Sequence, residues 1–513
     1  MDSPRPDILD VLSHRSGSPQ SRVVALEDSR RSVDYSALAS RVAALSALLA
    51  ERDVRPGDRV VVSLANAVSS VEAFLATAAA AAIWVGVNPA VPQAERARQS
   101  ELVSPKVVIG TADAYRPRGT ELIDVWDGGE HVTATSDAQF ALPTRPDPEA
   151  PCAIAFSSGT TGTPKAIVHS RAGLSLAAAA LAAATVRRDD RVGVTLPCSI
   201  LNVMIVGPLT SLIAGATTVL LDGFTARDVA AACEERRLTL VRALVPATVY
   251  DMVHDSEISP ESLASLREAG TGAAGLAENL RAAFEKKFGV RLSGSYGLSE
   301  APAAVCCEDT GRPRRPGSSG TPLAHVEISI RDPVGAILPT GATGEIWVGS
   351  ARAGPWAQQY RGALGRWLEG ELVPGPSDGP GFAGPCFGTG DFGFTDDEGS
   401  LHVVGRAADV ITRGGVTVTA TELEAIIGAF AGVREVAVIG RPHDRLGEQI
   451  IAYVQPQAGH ILDPDVVRRQ ATTVLSHGKV PDQVIVLDAL PRNAMGKVTR
   501  AKLLVMISPP PGR

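Results

Sequence analysis

Basic charge is not in surplus in this sequence: 49 Lys and Arg stand against 56 Asp and Glu, a net charge of −7. That balance argues against nucleic acid as the main partner, because affinity for a phosphate backbone needs clustered cations. The one basic stretch, Arg312-Pro313-Arg314-Arg315, reads as a solvated loop cluster. Cysteine is scarce and scattered, at 152, 198, 233, 306, 307 and 386, with no C-x-x-C pair. A disulfide framework and a cysteine zinc site are therefore not expected, and a reducing cytosol fits. A secretory leader is not expected either, since MDSPRPDILD has acids and prolines where such a leader needs a basic start and an apolar run. The longest uncharged run is Val192–Leu221, and there Pro197, Asn202, Gly207-Pro208 and Gly215 interrupt it. Without a flanking aromatic belt this segment predicts a strand, a buried helix and a second strand, not a span. The Ala-rich run from Ala73 to Val87 is too short to span and reads as a buried helix followed by a strand.

What is present is a large soluble core. The 513 residues, 45% hydrophobic and 20% charged, suffice for more than one structural unit. Short apolar runs bounded by turn residues recur, among them RVVVSL (59–64), WVGVNP (84–89), PKVVIG (105–110), TTVLL (217–221) and LTLVRAL (238–244). Helix-like segments such as 69–82 separate them, which predicts an α/β fold with largely parallel sheets. Residues 353–390 are rich in Gly and Pro and predict little regular structure. Beyond Gly405-Arg406 the texture changes to a compact α+β pattern. TELEAIIGAF reads there as an amphipathic helix with Thr421 as N-cap and Glu424 at the capping-box position, between the strands VREVAVIGRPHD and EQIIAYVQP. The Pro-rich end SPPPGR is expected to be disordered.

The stretch SSGTTGTPK, Ser157 to Lys165, holds two glycines, five hydroxyls and a lysine in nine positions. Glycines let backbone N–H groups approach phosphate oxygens, hydroxyls add neutral donors and Lys165 adds charge. A Walker loop would carry Gly before the lysine and Ser or Thr after it. Here Pro164 precedes Lys165 and Ala166 follows. Further along come GSYGLSE (294–300), GTGDFGFTDDEGSLHVVGRAADVI (388–411) and PRNAMGKVTR (491–500), with GTGAAGL (270–276) as a looser element.

Taken in order, these stretches resemble the successive signatures of the adenylate-forming superfamily: acyl-CoA synthetases, peptide-synthetase adenylation domains and luciferase. The chain is most like a stand-alone acyl-CoA ligase, over roughly residues 20 to 503. The resemblance implies a large N-terminal domain (1–405) of two mostly parallel sheets with helices and a small distorted β-barrel. A small mobile α+β domain (406–505) and a tail (506–513) would follow. It implies an acid–thiol ligase that uses ATP, Mg2+ and CoA. A carboxylate attacks the α-phosphate to give acyl-AMP, and a thiol then displaces AMP. By the same resemblance Ser157, Ser158, Thr160, Thr161 and Lys165 hold the outer phosphates. Ser295 and Tyr296 border the adenine, Ser299 lies near phosphate and Glu300 is the metal ligand. Asp391 takes the ribose hydroxyls, and Arg406 lies near ribose and phosphate. Lys497 bridges carboxylate and α-phosphate, while Gly414 and Gly415 line the CoA tunnel. Each role has its chemistry: a carboxylate's two acceptors suit a vicinal diol, a hard oxygen suits Mg2+, and a placed cation stabilises charge building on phosphorus-bound oxygen.

The acyl pocket is expected around Val203, Met204, Ala273, Gly294 and Ala301, small or aliphatic walls that favour a bulky apolar carboxylic acid over an α-amino acid. Three departures stand out. The hinge position usually held by an acid or lysine is Ala408, with Asp409 one place along, and positions often basic in the family are Thr412 and Thr417. These leave open an enzyme impaired in adenylation that mainly thioesterifies supplied acyl-AMP. Also open are a ligase loading a carrier-protein thiol and a nucleotide-binding pseudoenzyme. A cytoplasmic location, a homodimer as one open assembly and a role in secondary metabolism complete the expectations.

Overall fold

The computed structural model describes residues 5–15, 19–124, 147–157, 165–272, 276, 278–375, 386–406, 409–413, 416–443, 445–492 and 498–506. Its contacts divide the chain into two units. One comprises Met1–Ala273, Leu280–Ser329 and Trp347–Thr389; the other comprises Ala274–Asn279, Ile330–Ile346 and Gly390–Arg513.

The first unit carries two large sheets. In the eight-stranded sheet the strands Arg59–Ser63, Ile83–Gly86, Val107–Gly110 and Glu121–Asp124 pair in parallel, and Ile83–Gly86 continues in parallel onto Pro151–Ser157. In the nine-stranded sheet the parallel core runs through Val24–Glu27, Thr217–Leu220, Arg191–Val194, Leu240–Leu244, Glu268–Thr271 and Arg291–Leu298. Both match the α/β expectation. The apolar runs are continuous, not alternating, because both faces of such strands are covered. Val60, Val61, Val108 and Ile109, for example, expose no more than 0% of their surface. Helix Val68–Ala79 is buried over nearly its whole length. Helix Arg171–Thr185 starts at Ser170, whose Oγ accepts from the Gly173 N–H at 3.1 Å.

The uncharged segment folds as the punctuation predicts, with one refinement. Strand Arg191–Val194 leads to helix Leu201–Met204, then a π-helical turn Ile205–Leu209, helix Thr210–Ala214 and strand Thr217–Leu220. Pro208 removes a backbone donor, so the ladder widens there. Hydroxyls add donors along this turn: Thr210 Oγ1 donates to Ile205 O and Ser211 Oγ to Gly207 O, each at 2.7 Å. Gly215, at φ 79°, ends the helix in the left-handed conformation. No helix of the described residues is long and apolar enough to cross a membrane.

The Gly/Pro-rich region 353–390 is more regular than expected. Gly365–Leu368 and Glu371–Pro374 form a hairpin, and the first of these strands extends the eight-stranded sheet beside Lys165–Ser170. Its two-residue turn, Glu369 (φ 49°) and Gly370 (φ 90°), has both residues left-handed, the geometry that matches strand twist. A small four-stranded sheet, the curled element expected as a distorted barrel, contains Val326–Arg331, Gly344–Ser350, Cys386–Thr395 and Leu401–Arg406 in that order.

Later in the second unit, strands Val416–Thr419, Val410–Arg413, Gly447–Pro456 and Val433–His443 form a sheet, with Gln483–Val486 added in parallel to Gly447–Pro456. Leu423, Ile427, Val438, Ile450 and Val467 fill its core. The helix here is Ala420–Ile427, and its N-cap is Thr419, not Thr421: Thr419 Oγ1 accepts from Glu422 N–H at 3.2 Å. Glu424 is thereby released from any capping role and turns into the packing instead. The tail from 507 lies outside the described residues.

Candidate active site

The phosphate-loop motif sits on an antiparallel hairpin. Strands Pro151–Ser157 and Lys165–Ser170 pair with Ser157 opposite Lys165, so the register closes the motif at its two ends. Ser158, Thr160 and Thr161 lie outside the described residues. Four residues after Lys165 stands His169, 1% exposed, its Nε2 buried without a hydrogen-bond partner among the described residues. Burial pushes its pKa down to about 4 against the opposing pull of the Ser299 backbone, so the imidazole is neutral.

Ser299 and Glu300 form the turn between strands Arg291–Leu298 and Ala301–Cys307, with Leu298 opposite Ala301. The Glu300 carbonyl accepts from Ala363 N–H at 2.8 Å, and the next residue, Leu364, donates to Val168 O at 2.8 Å. The strand of Lys165 and the turn of Glu300 are thus joined through residues 363–364, with His169 of that strand beside Ser299. Tyr296, 8% exposed, and Ser295 precede that turn; Ser295 Oγ donates to Thr271 O at 3.2 Å. Gly297 is required by close approach, since a Cβ there would lie 2.2 Å from Ala303 O.

The pocket candidates are partly gathered. Val203 and Met204, 4% and 1% exposed, sit on helix Leu201–Met204, which packs against the strand beginning at fully buried Ala301. Gly294 has another role: a Cβ there would come within 3.0 Å of Glu308 Oε1 and 3.2 Å of Arg281 Nη2, so it makes room for the buried Arg281–Glu308 ion pair (2.7 Å). Ala273 lies outside the described residues.

In the second unit Asp391, 5% exposed, stands opposite Arg406 in the pairing of Cys386–Thr395 with Leu401–Arg406. Gly390, at φ 72°, precedes it and donates its N–H to Glu345 Oε1 at 3.1 Å. Ala408, Gly414, Gly415 and Lys497 lie outside the described residues. Arg413 grips Asp482 at 2.6 Å and 2.8 Å and so anchors the strand that leads to positions 414–415. Asp409 does not stand in for a free hinge acid: Arg500 holds it at 3.2 Å and holds Glu424 at 2.7 Å and 3.0 Å. Burial raises the pKa of Glu424 even against the Arg500 charge.

Three contributors are assigned no role from the sequence: His169, Arg242 and Arg500, although the last closes the stretch PRNAMGKVTR. Arg242 interrupts the apolar strand Leu240–Leu244 yet is only 8% exposed. An arginine inside an apolar strand was the available signal.

Comparison with known proteins gives this arrangement its family. Residues 14–354 match the AMP-binding enzyme family, and residues 422–497 match the AMP-binding enzyme C-terminal domain. The chain belongs to the AMP-binding enzyme family. Within it, the chain is similar to an indoleacetate–CoA ligase of Aromatoleum aromaticum, 34% identical over 364 residues, covering 70% of this chain and 68% of that protein. It is similar also to a feruloyl-CoA synthase of an Amycolatopsis species, 29% identical, covering 91% and 93%. Among solved structures of the family's fold, ATP-bound MatB from Rhodopseudomonas palustris superposes with a TM-score of 0.83 at 25% identity, covering 98% of this chain and 99% of that one. This AMP-binding enzyme therefore has the adenylate-forming fold, and its curated relatives are acid–CoA ligases.

Proposed function

We propose that the chain is an AMP-forming acyl-CoA ligase that activates a largely apolar carboxylic acid through acyl-AMP and passes the acyl group to CoA. The observation that carries this reading is the joining of the Lys165 strand to the Ser299–Glu300 turn through Ala363 and Leu364, on a chain whose relatives are CoA ligases. Lys165 and the motif hydroxyls hold the outer phosphates, Tyr296 stacks on adenine, and Asp391 takes the ribose diol with Arg406 beside it. Glu300, a half-buried carboxylate at a turn, suits Mg2+, which when bound screens the polyphosphate charge. An acid carboxylate oxygen attacks the α-phosphorus, pyrophosphate leaves, and Lys497 stabilises the charge on the transferring oxygens. The CoA thiol then displaces AMP after the small domain changes pose, with Gly414 and Gly415 at its path. Six free thiols, four of them buried, support a reducing cytoplasmic setting.

A second reading follows from one contact. With Ala408 at the hinge and Asp409 committed to Arg500, neither position offers the free charge usual there, which favours the thioesterification pose over the adenylation pose. Acid-dependent ATP–pyrophosphate exchange tests the first half-reaction, and thioester formation from synthetic acyl-AMP and CoA tests the second. Comparable rates support the complete ligase. Fast thioesterification with vanishing exchange supports the second reading, and failure of both sinks the ligase proposal.

A further inference from the structure

A guanidinium presents five N–H donors, and one taken out of water is normally bonded through several of them. Arg242, in strand Leu240–Leu244, breaks that rule. It is 8% exposed, and among the described residues none of its N–H groups makes a hydrogen bond; Nε and Nη2 are fully buried without a partner. The nearby carboxylate is Glu268, whose Oε1 lies 3.8 Å from Arg242 Nη1, beyond hydrogen-bond distance. Glu268 is already engaged. Its Oε1 accepts from Ser293 Oγ at 2.5 Å, and its Oε2 faces Arg267 Nη1 at 3.2 Å; Arg267 continues to Asp190 at 2.5 Å. Glu268 therefore balances charge without serving the Arg242 donors.

The position of this cation is specific. It lies against Gly270, where a Cβ would meet Nη1 at 3.2 Å and Cδ at 3.4 Å. Two residues on, a Cβ at Gly272 would lie 3.1 Å from Oγ of Ser295, the neighbour of Tyr296. The residue after Arg242, Ala243, is left-handed at φ 63°, and the strand register breaks between Val241 and Leu244. Backbone strain of that kind collects at ligand sites. Arg242 also stands near the carboxyl end of a parallel strand, the end at which open α/β sheets take their ligands.

We propose that Arg242 is the anchor for an oxygen acceptor on the substrate acid, at the end remote from the carboxylate that is activated. The acid is then an apolar body bearing a distal ketone, phenol or carboxylate oxygen. This rests on the acid-activating reading above and narrows it. Donors left unpaired in a buried site penalise every acid that lacks the oxygen, so the discrimination is larger than apolar shape alone provides.

The test uses the full chain with phenylpropanoate and its para-acetyl and para-carboxy derivatives. Acid binding is measured by calorimetry and AMP release is measured with ATP and CoA. The wild type is expected to bind at least one oxygen-bearing acid about tenfold or more tighter than the parent. In Arg242→Met the preference falls to near unity, with a melting temperature at or above that of the wild type, because an unbonded buried cation has been removed. Arg242→Lys separates the two oxygens: it keeps a donor for the single ketone oxygen but loses the planar fork that matches both carboxylate oxygens, so the carboxylate preference falls more than the ketone preference. Equal binding of all three acids by the wild type, no binding at all, or a ratio unmoved in Arg242→Met overturns the proposal. The predicted binding ratio without AMP release leaves the anchor standing and removes the ligase reading; AMP release with an unmoved ratio does the reverse.

Discussion

Arg500 holds Asp409: Nη1 lies 3.2 Å from Oδ2, and Nη2 of the same guanidinium grips both oxygens of Glu424. The residue just past the hinge position is thereby tied to a side chain three places beyond Lys497. Removing Arg500 leaves two carboxylates facing one another. A fully buried pair would lose about 3–5 kcal/mol on such a cut. Here Arg500 is 34% exposed, so solvent screening lowers the expected cost of Arg500→Met to about 1–2 kcal/mol. Urea unfolding of the variant checks this, and a change within error would show the clasp to be idle.

The hinge itself gives a second prediction. If Ala408 biases the two poses, then Ala408→Asp should raise ATP–pyrophosphate exchange about tenfold, the ratio change that ~1.4 kcal/mol produces. Thioesterification of supplied acyl-AMP should not rise with it. An exchange rate unchanged by the substitution would remove Ala408 from the account.

Acid sensitivity should come partly from His325. It is 0% exposed, neither ring nitrogen has a hydrogen-bond partner, and it lies edge-on to Tyr360 with centroids 4.6 Å apart. Burial pushes its pKa from 6.5 down to about 3. The folded state thus refuses a proton that the unfolded chain accepts, so the stabilising effect is complete above pH 6.5 and is lost as pH falls below it. The expected slope is about 1.4 kcal/mol per pH unit. Unfolding free energies at neutral and mildly acidic pH, compared with His325→Phe, should show the slope reduced by that amount in the variant.

Gly297→Ala is expected to be severe. The added Cβ would sit 2.2 Å from the Ala303 carbonyl, a backbone atom that cannot swing aside. Destabilisation of about 3 kcal/mol, at the upper end for overpacking, should appear in thermal unfolding. Normal stability would mean that the strand pair Arg291–Leu298 and Ala301–Cys307 can shift.

The readable parts of this chain were those whose physics is local. Continuous apolar runs such as Arg59–Ser63 announced parallel strands, and Pro208 with Gly207 announced that Val192–Leu221 could not be one helix. The hairpin 365–374 was hidden because each strand has four residues and its turn, Glu-Gly, differs from the commoner Asn-Gly signal. The N-cap moved to Thr419 because two threonines compete within three residues and Glu424 is worth more against Val438 and Arg500. At the site, motif residues such as Lys165 and Glu300 were visible, while the residues that join them were not. His169 in AIVHS reads as an ordinary core histidine, and only the fold brings it beside Ser299. Arg242 is likewise a question of which neighbours lack acceptors, which no spacing encodes.

The central claim is acid activation coupled to CoA, and the most direct measurement is the stoichiometry of AMP and acyl-CoA in a single incubation of acid, ATP, Mg2+ and CoA. The account predicts equal amounts of both. In Lys497→Ala both should fall about a hundredfold or more, with acyl-CoA formation restored when synthetic acyl-AMP replaces acid and ATP. AMP release that needs no acid, or acyl-AMP left unconsumed by CoA in the wild type, would contradict it.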